Sequence, residues 1–253
     1  MPFELVETAG ADHAGSDPLQ DELALLNLAA QGRQVAQLWE APLSLVVPRT
    51  YLRHAALESA RADFAQQGCP VFLRMSGGGL VPQGPGILNL SLAYAVARPP
   101  GALSDAVYLH LCQVIGEALQ TLGVDTHWQA VAGSFCDGRY NLAWGPPDTA
   151  RKIAGTAQYW RRAPAAMQSA DGQRHLVLAH AVLLVSADPV QINARANAFE
   201  AAIDSDRRYD AGKVVSIREA LLAGGRAVDD DGALMAQVAV ALRRSVSQTP
   251  PPI

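Results

Sequence analysis

The chain has 253 residues, 49% of them hydrophobic and 17% charged, with 20 basic and 24 acidic side chains that leave a net charge of −4. That much apolar material can bury a sizeable core, which excludes disorder as a global description, and the slightly acidic balance excludes a nucleic-acid partner, which would need a basic domain. No apolar run reaches the roughly 18 residues of a membrane-spanning helix, and the N-terminus lacks the basic and apolar regions of a secretory signal. Cys69, Cys112 and Cys136 are odd in number and widely spaced, without a CxxC pair, so neither a disulfide framework nor a metal site is expected. Reduced thiols in a cytoplasmic protein are the expectation.

In chain order, the spacing predicts a helix over Leu19 to Gln31, capped by Ser16 or Asp17, with Pro18 in its first turn. VAQLWEAPLSLVV reads as strand, loop, strand, and TYLRHAALESARADFAQQG as a second helix capped by Thr50. CPVFLRM is a short buried strand running into SGGG, and ILNLSLAYAV alternates like a half-buried strand. From Ser104 to Leu122, Leu109, Cys112, Ile115, Leu119 and Leu122 fall on one face of a core helix, where Cys112 is a small buried hydrophobe. Strands follow around WQAVAG, YNLAW, RKIAGTAQYWRR and HLVLAHAVLLVSA. Helices over Pro189 to Ala202 and Asp231 to Val246 complete the set, and residues 249–253 read as a Pro-rich tail.

The strands arrive in clusters, without the regular alternation of a doubly wound sheet. The fold class is therefore α+β, a single domain over residues 1–248 with a mostly antiparallel or mixed sheet and helices against one face.

Three segments carry residue types suited to chemistry. In RMSGGGL, three glycines after a strand let the backbone approach a ligand and aim its N–H groups, with Arg74 and Ser76 on either side; a bare tight turn is the alternative. Cys136 lies among Gly133, Ser134, Asp137 and Gly138, hence in a loop, where a nearby cation would make its thiolate a nucleophile; an incidental loop thiol is the alternative. Lys152 is one of only two lysines, with Lys213, in a chain that otherwise uses arginine, although GC-rich coding explains that scarcity as readily as function does. On a strand beside Ala154, Gly155 and Ala157, its ammonium suits a phosphate or the oxyanion of acyl transfer. His180, within LAHAVLLVSAD, is either a hydrogen-bonded core histidine or a site residue.

Taken in order, RMSGGGLVPQGPGILNLSL, ARKIAGTAQYWRR and HAVLLVSAD resemble the signatures of the lipoate–protein ligase A, octanoyltransferase and biotin ligase superfamily, over roughly residues 19–217. SFCDGRYNL is similar to the pattern around the nucleophile of the cysteine-dependent octanoyl or lipoyl amidotransferase branch. The glycine run is GGG as in the ATP-dependent ligases, and AWGPPDTARK is longer than the usual turn before the lysine.

The resemblance implies a biotin/lipoate-ligase-like catalytic domain that transfers an octanoyl or lipoyl group to a lysine of an acyl-carrier protein, such as a lipoyl domain or the glycine-cleavage H protein. Cys136 would form the thioester and Lys152 would orient the acyl carbonyl. Arg74, Ser76, Gly77, Gly78, Gly79, Asn89, Ser91, Gly155, Thr156, Ala157, Gln158 and His180 would hold the acyl group. This route requires no cofactor. An ATP-dependent lipoate ligase, using ATP and Mg through lipoyl-AMP, is the alternative, and a non-catalytic lipoate- or carrier-binding module is a third reading. Arg161, Arg162, Arg207 and Arg208 read as a basic rim that steers an acidic carrier.

Overall fold

The computed structural model describes residues 2–7, 17–168 and 173–252. Its first elements are a short strand β1 (Glu4–Leu5), helix α1 (Pro18–Ala29), β2 (Val35–Trp39), β3 (Ser44–Pro48), helix α2 (Leu57–Gln66), β4 (Val71–Arg74), β5 (Val81–Gln83) and β6 (Ile87–Val96). Helix α3 (Pro100–Thr121) leads to β7 (His127–Trp128), β8 (Leu142–Trp144), β9 (Arg151–Arg162) and β10 (His175–Leu184). Helices α4 (Pro189–Ala202), α5 (Ile217–Ala223) and α6 (Asp231–Gln248) follow.

The strands form two sheets. The larger has seven strands in the order β1-β2-β6-β10-β9-β8-β7, and the smaller has three in the order β4-β3-β5. Among the named strands, only β1–β2 and β3–β4 pair in parallel, with one isolated parallel bridge between Lys152 and Val214, so the architecture is the expected mixed α+β one. The helices do not keep to one face. On β10, Val177, Ala179, Ala181 and Leu183 pack with α3 and α6, whereas Leu176 and Leu178 pack with α1 through Leu25, Leu26 and Ala29. A strand covered on both faces loses its polar side, which is why β6 is buried along nearly its whole length instead of alternating.

Local chemistry explains most boundaries. Asp17 caps α1 by accepting from Leu19 N at 2.9 Å, and Asp188 caps α4 by accepting from Val190 N at 2.8 Å. The candidate cap Ser16 lies outside the described residues. Thr50 caps nothing: Arg49–Arg53 is a 3-10 turn, and α2 starts only at Leu57. The inward stripe of α3 matches the expected one at Cys112, Ile115 and Leu119 and departs from it at Leu109. Val107, Leu111, Val114, Ile115, Ala118 and Leu119 face the core while Leu109 is exposed, because α6 lies along that side with Leu234, Val238 and Leu242. Each such side chain contributes roughly 1.5–3 kcal/mol by leaving water. Around WQAVAG only His127 and Trp128 pair as a strand; the turns through residues 132–140 belong to the loop that carries Cys136. Helix α5, with a Ser216–Glu219 capping box, has no counterpart in the sequence reading. Among the described residues, no helix is long and apolar enough to cross a membrane.

Candidate active site between the two sheets

The register of the large sheet aligns one row of side chains across four strands. Trp39 pairs with Asn89, Asn89 with Val182, and Val182 with Gly155; alongside run Gln37, Ser91, His180 and Ala157. Partners share a face in an antiparallel sheet, so this row forms a floor. Above it lie Val46 of β3, Arg74 of β4, and Val81 and Gln83 of β5, with Leu19 and Glu22 of α1 closing one end. The cleft holds about 480 Å³ of space, part of it open to solvent, and Cys136 and Lys152 line it together with Gly155. With neighbouring strands about 4.8 Å apart, the three steps from Gly155 to Trp39 span about 14 Å of floor.

Cys136 occupies a left-handed backbone position, φ +47°, a conformation that costs a non-glycine residue on the order of 1–3 kcal/mol. The surroundings fix it there. Its carbonyl accepts from Gly138 N at 2.9 Å, Asn141 Nδ2 at 3.0 Å and Lys152 Nζ at 3.0 Å. Lys152 also donates to Phe135 O at 2.6 Å, lies 4.3 Å from the Phe135 ring centroid, and is 0% exposed. Gly155 makes room for it, since a Cβ there would stand 2.9 Å from Nζ.

The thiol is surrounded by donors. Gly79 N–H points at Sγ from 3.3 Å, and Arg74 Nη2 lies 3.7 Å away. That guanidinium is itself held by the carbonyls of Gly77 and Gly79, at 2.9 and 2.8 Å. Gly78 has φ +105°, and a Cβ on it would meet Sγ at 2.7 Å, so the middle glycine is required both by its backbone and by the approach of the thiol. Burial alone would raise the Cys136 pKa, but the Lys152 ammonium, Arg74 and the Gly79 N–H outweigh it and hold the thiol below its ordinary value. Burial pushes Lys152 down to about 8. Cys112, in the core without a cation, is pushed up to about 12.

The far end of the cavity is polar but closed on itself. Glu22, 3% exposed, accepts from His180 Nδ1 at 2.6 Å and from Ser91 Oγ at 2.7 Å. Ser91 Oγ accepts from Trp39 Nε1 at 3.0 Å, and His180 Nε2 lies 2.8 Å from Ser76 Oγ. Next to it, the side-chain amides of Gln83 and Asn89 exchange two hydrogen bonds of 2.9 Å each.

Arg74, Asn89, Cys136, Lys152, Gly155, Thr156, Ala157 and His180 thus line one cavity, with Gly77, Gly78 and Gly79 behind Arg74 and the thiol. Ser76 and Ser91 sit behind the wall as partners of His180 and Glu22. Gln158 is not brought to the site: its amide donates to Ser104 O of α3, on the opposite face. The proposed basic rim is also split. Arg161 and Arg162 pair with Leu176 and His175 at the end of β9 remote from Lys152. Glu22, Trp39 and Gln83 were missed by the sequence reading; a carboxylate within the Leu19–Leu26 apolar stripe of α1 was the readable signal. Among the described residues, no group of three or more His, Cys, Asp and Glu side chains converges to hold a metal ion.

A family model described as the lipoyl protein ligase A/B catalytic domain matches residues 18–223. The chain belongs to this lipoate ligase and octanoyltransferase family. An uncharacterised protein of Cupriavidus necator is 89% identical over 252 residues, covering 100% of both chains. The octanoyl-[GcvH]:protein N-octanoyltransferase of Kyrpidia tusciae is 34% identical over 210 residues, which are 83% of this chain and 69% of that one. The crystal structure of lipoate-protein ligase A bound with ATP superposes with a TM-score of 0.66 at 17% identity, covering 98% of this chain and 85% of that chain, which shows a common fold. Within this family fold, the Cys136 loop sits against the lysine strand β9.

Proposed function

We propose that the protein is a cysteine-dependent acyltransferase that moves an octanoyl or lipoyl group onto the lysine of a lipoyl-carrier protein such as the glycine-cleavage H protein. One observation carries this reading: a thiol lining an apolar-walled cleft, with the Arg74 guanidinium and the Gly79 N–H directed at it and the Lys152 ammonium beside it. The 34% identity to an octanoyl-[GcvH]:protein N-octanoyltransferase supports it.

The Cys136 thiolate attacks the acyl carbonyl of the donor. The bond from that carbonyl to the donor's nitrogen breaks, and the departing amine takes up a proton. The neutral amine of the acceptor lysine then attacks the Cys136 thioester, the C–S bond breaks, the thiolate returns and a proton is released. One amide is exchanged for another, so no nucleotide is consumed and no cofactor is required. Lys152 uses two of its three N–H groups on the carbonyls of Phe135 and Cys136, leaving the third for the acyl oxygen. The apolar walls at Val46, Val81 and Val182 hold the chain, and a reducing cytoplasm would keep Cys136 free.

The GGG run favours a second reading, an ATP-dependent ligase in which Lys152 and Arg74 hold an acyl-adenylate formed with ATP and Mg. The test supplies wild type and Cys136→Ala with octanoylated carrier lacking ATP, or with free lipoate, ATP and magnesium. Nucleotide-free transfer by wild type, an octanoyl adduct mapped to Cys136, and loss of both in Cys136→Ala are expected. Full ATP-dependent activity in Cys136→Ala, with none in wild type without ATP, would replace the thioester reading by the ligase reading.

A further inference from the structure

Three cations stand around the glycine run beside Cys136: Lys152 and Arg74, which depress the pKa of the thiol, and Arg207. A Cβ placed on Gly79 would lie 2.6 Å from Arg207 Nη1, and it is the N–H of Gly79 that points at Sγ. The same Cβ position would lie 3.4 Å from Cys136 Cα, so the Arg207 guanidinium and the Cys136 backbone meet over Gly79.

Arg207 is exposed yet held in place. Its guanidinium carbon is 5.7 Å from the Tyr51 ring centroid, Nη1 donates to Tyr51 OH at 3.4 Å, and its backbone N–H is 3.2 Å from Ser205 Oγ. The brace continues inward: Tyr51 OH and Tyr209 OH each donate to Glu200 Oε1 at 2.6 Å, and Glu200 is 0% exposed. The ion pairs among the described residues are Arg33–Glu4, Arg61–Glu58, His180–Glu22 and Arg218–Asp231, so Arg207 has no carboxylate of its own there. Its neighbour Arg208 differs, since its Nη1 is turned onto the carbonyls of Ser205 and Arg207, at 2.8 and 2.6 Å.

Resting on the transfer reading above, we infer that Arg207 is the docking residue for the carrier protein, receiving a carboxylate from the turn that presents the carrier's lysine. Charge complementarity favours that occupant. An acceptor lysine approaches a site that already contains Lys152 and Arg74, which repel its ammonium. A carboxylate beside that lysine, seated bidentately on the planar guanidinium, offsets the repulsion and brings the amine to the thioester. Two exposed apolar side chains, Leu52 next to Tyr51 and Met75 just before the glycine run, supply contact area on the same two segments.

The experiment measures binding of apo glycine-cleavage H protein to the full chain in a Cys136→Ala background, with Arg207 intact or changed to Gln or Lys, from low to high salt. Arg207→Gln is expected to weaken binding about tenfold at low salt and to flatten its salt dependence, with Arg207→Lys intermediate. In turnover with Cys136 present, the same change should raise KM for the carrier about tenfold and alter kcat about twofold or less. Arg207→Glu paired with a carrier whose acidic residues beside the lysine are changed to Arg should regain part of the loss. Wild-type affinity and salt dependence in Arg207→Gln would overturn the inference, as would a loss confined to ATP binding, which would make Arg207 a phosphate ligand. Arg207-dependent carrier binding without any acyl adduct on Cys136 in wild type would sink the thioester mechanism and leave the docking role standing.

Discussion

The two ends of the cavity bury ionisable groups in opposite ways. At the Glu22 end, a carboxylate 3% exposed is held through Oε1 by His180 and Ser91, which are tied on to Ser76 and Trp39 in one continuous chain. At the Cys136 end, Lys152 is 0% exposed with Arg74 nearby, and no Asp or Glu pairs with either among the described residues. The anions that act on Lys152 are the Cys136 thiolate first and Asp137 after it. A self-satisfied network adds rigidity and selects a shape. An excess of positive charge, held by carbonyl oxygens and an aromatic face, stores the attraction that stabilises a thiolate now and an acyl oxygen later.

The largest effect should come from removing the cation that separates the two ends. Lys152→Met is expected to slow transfer about a hundredfold. It should also move the pH inflection of Cys136 alkylation upward, measured as iodoacetamide rate against pH. An unchanged inflection would mean that Lys152 does not control the thiol.

Glu22→Gln probes the opposite end. Breaking a buried pair costs about 3 kcal/mol, read as a lower urea midpoint, while the alkylation inflection of Cys136 should stay in place. A shift of that inflection would show that the two ends act as one electrostatic unit.

A smaller effect concerns pH and stability. Lys152 binds its proton less tightly in the folded chain, at about 8 against an ordinary 10.5, and the Cys136 pKa is also lowered. Between the folded and unfolded values the unfolded chain holds more protons, so these two groups make stability rise with pH from about 8 towards about 10.5. The urea midpoint should climb over that window in wild type, and less steeply in Lys152→Met. The smallest change is Arg161→Ala. Far along β9 from the thiol, it should alter stability by about 0.5 kcal/mol or less and leave the carrier KM unchanged; a raised KM would restore the wider basic rim.

Local pattern determined much of this molecule. The α+β class, the long strands β9 and β10, helix α4, and the placement of Cys136 in a loop and Lys152 on a strand follow from turn residues and apolar periodicity. Those signals reach only a few residues along the chain. Tertiary structure decided the rest, because the cavity walls come from α1, β2, β3, β4, β5, β6, β9, β10 and the Cys136 loop, and register alone sets which side chains share a face. Register placed Asn89 and Val182 side by side, turned Gln158 towards α3, and buried both faces of β6. The left-handed backbone of Cys136, the Glu22–His180 chain and the Tyr51–Glu200–Tyr209 brace behind Arg207 join residues between 9 and 158 positions apart. No local propensity selects such contacts. They exist because folding closes two sheets over one slot, where most buried polar atoms find partners and the thiol finds its cations.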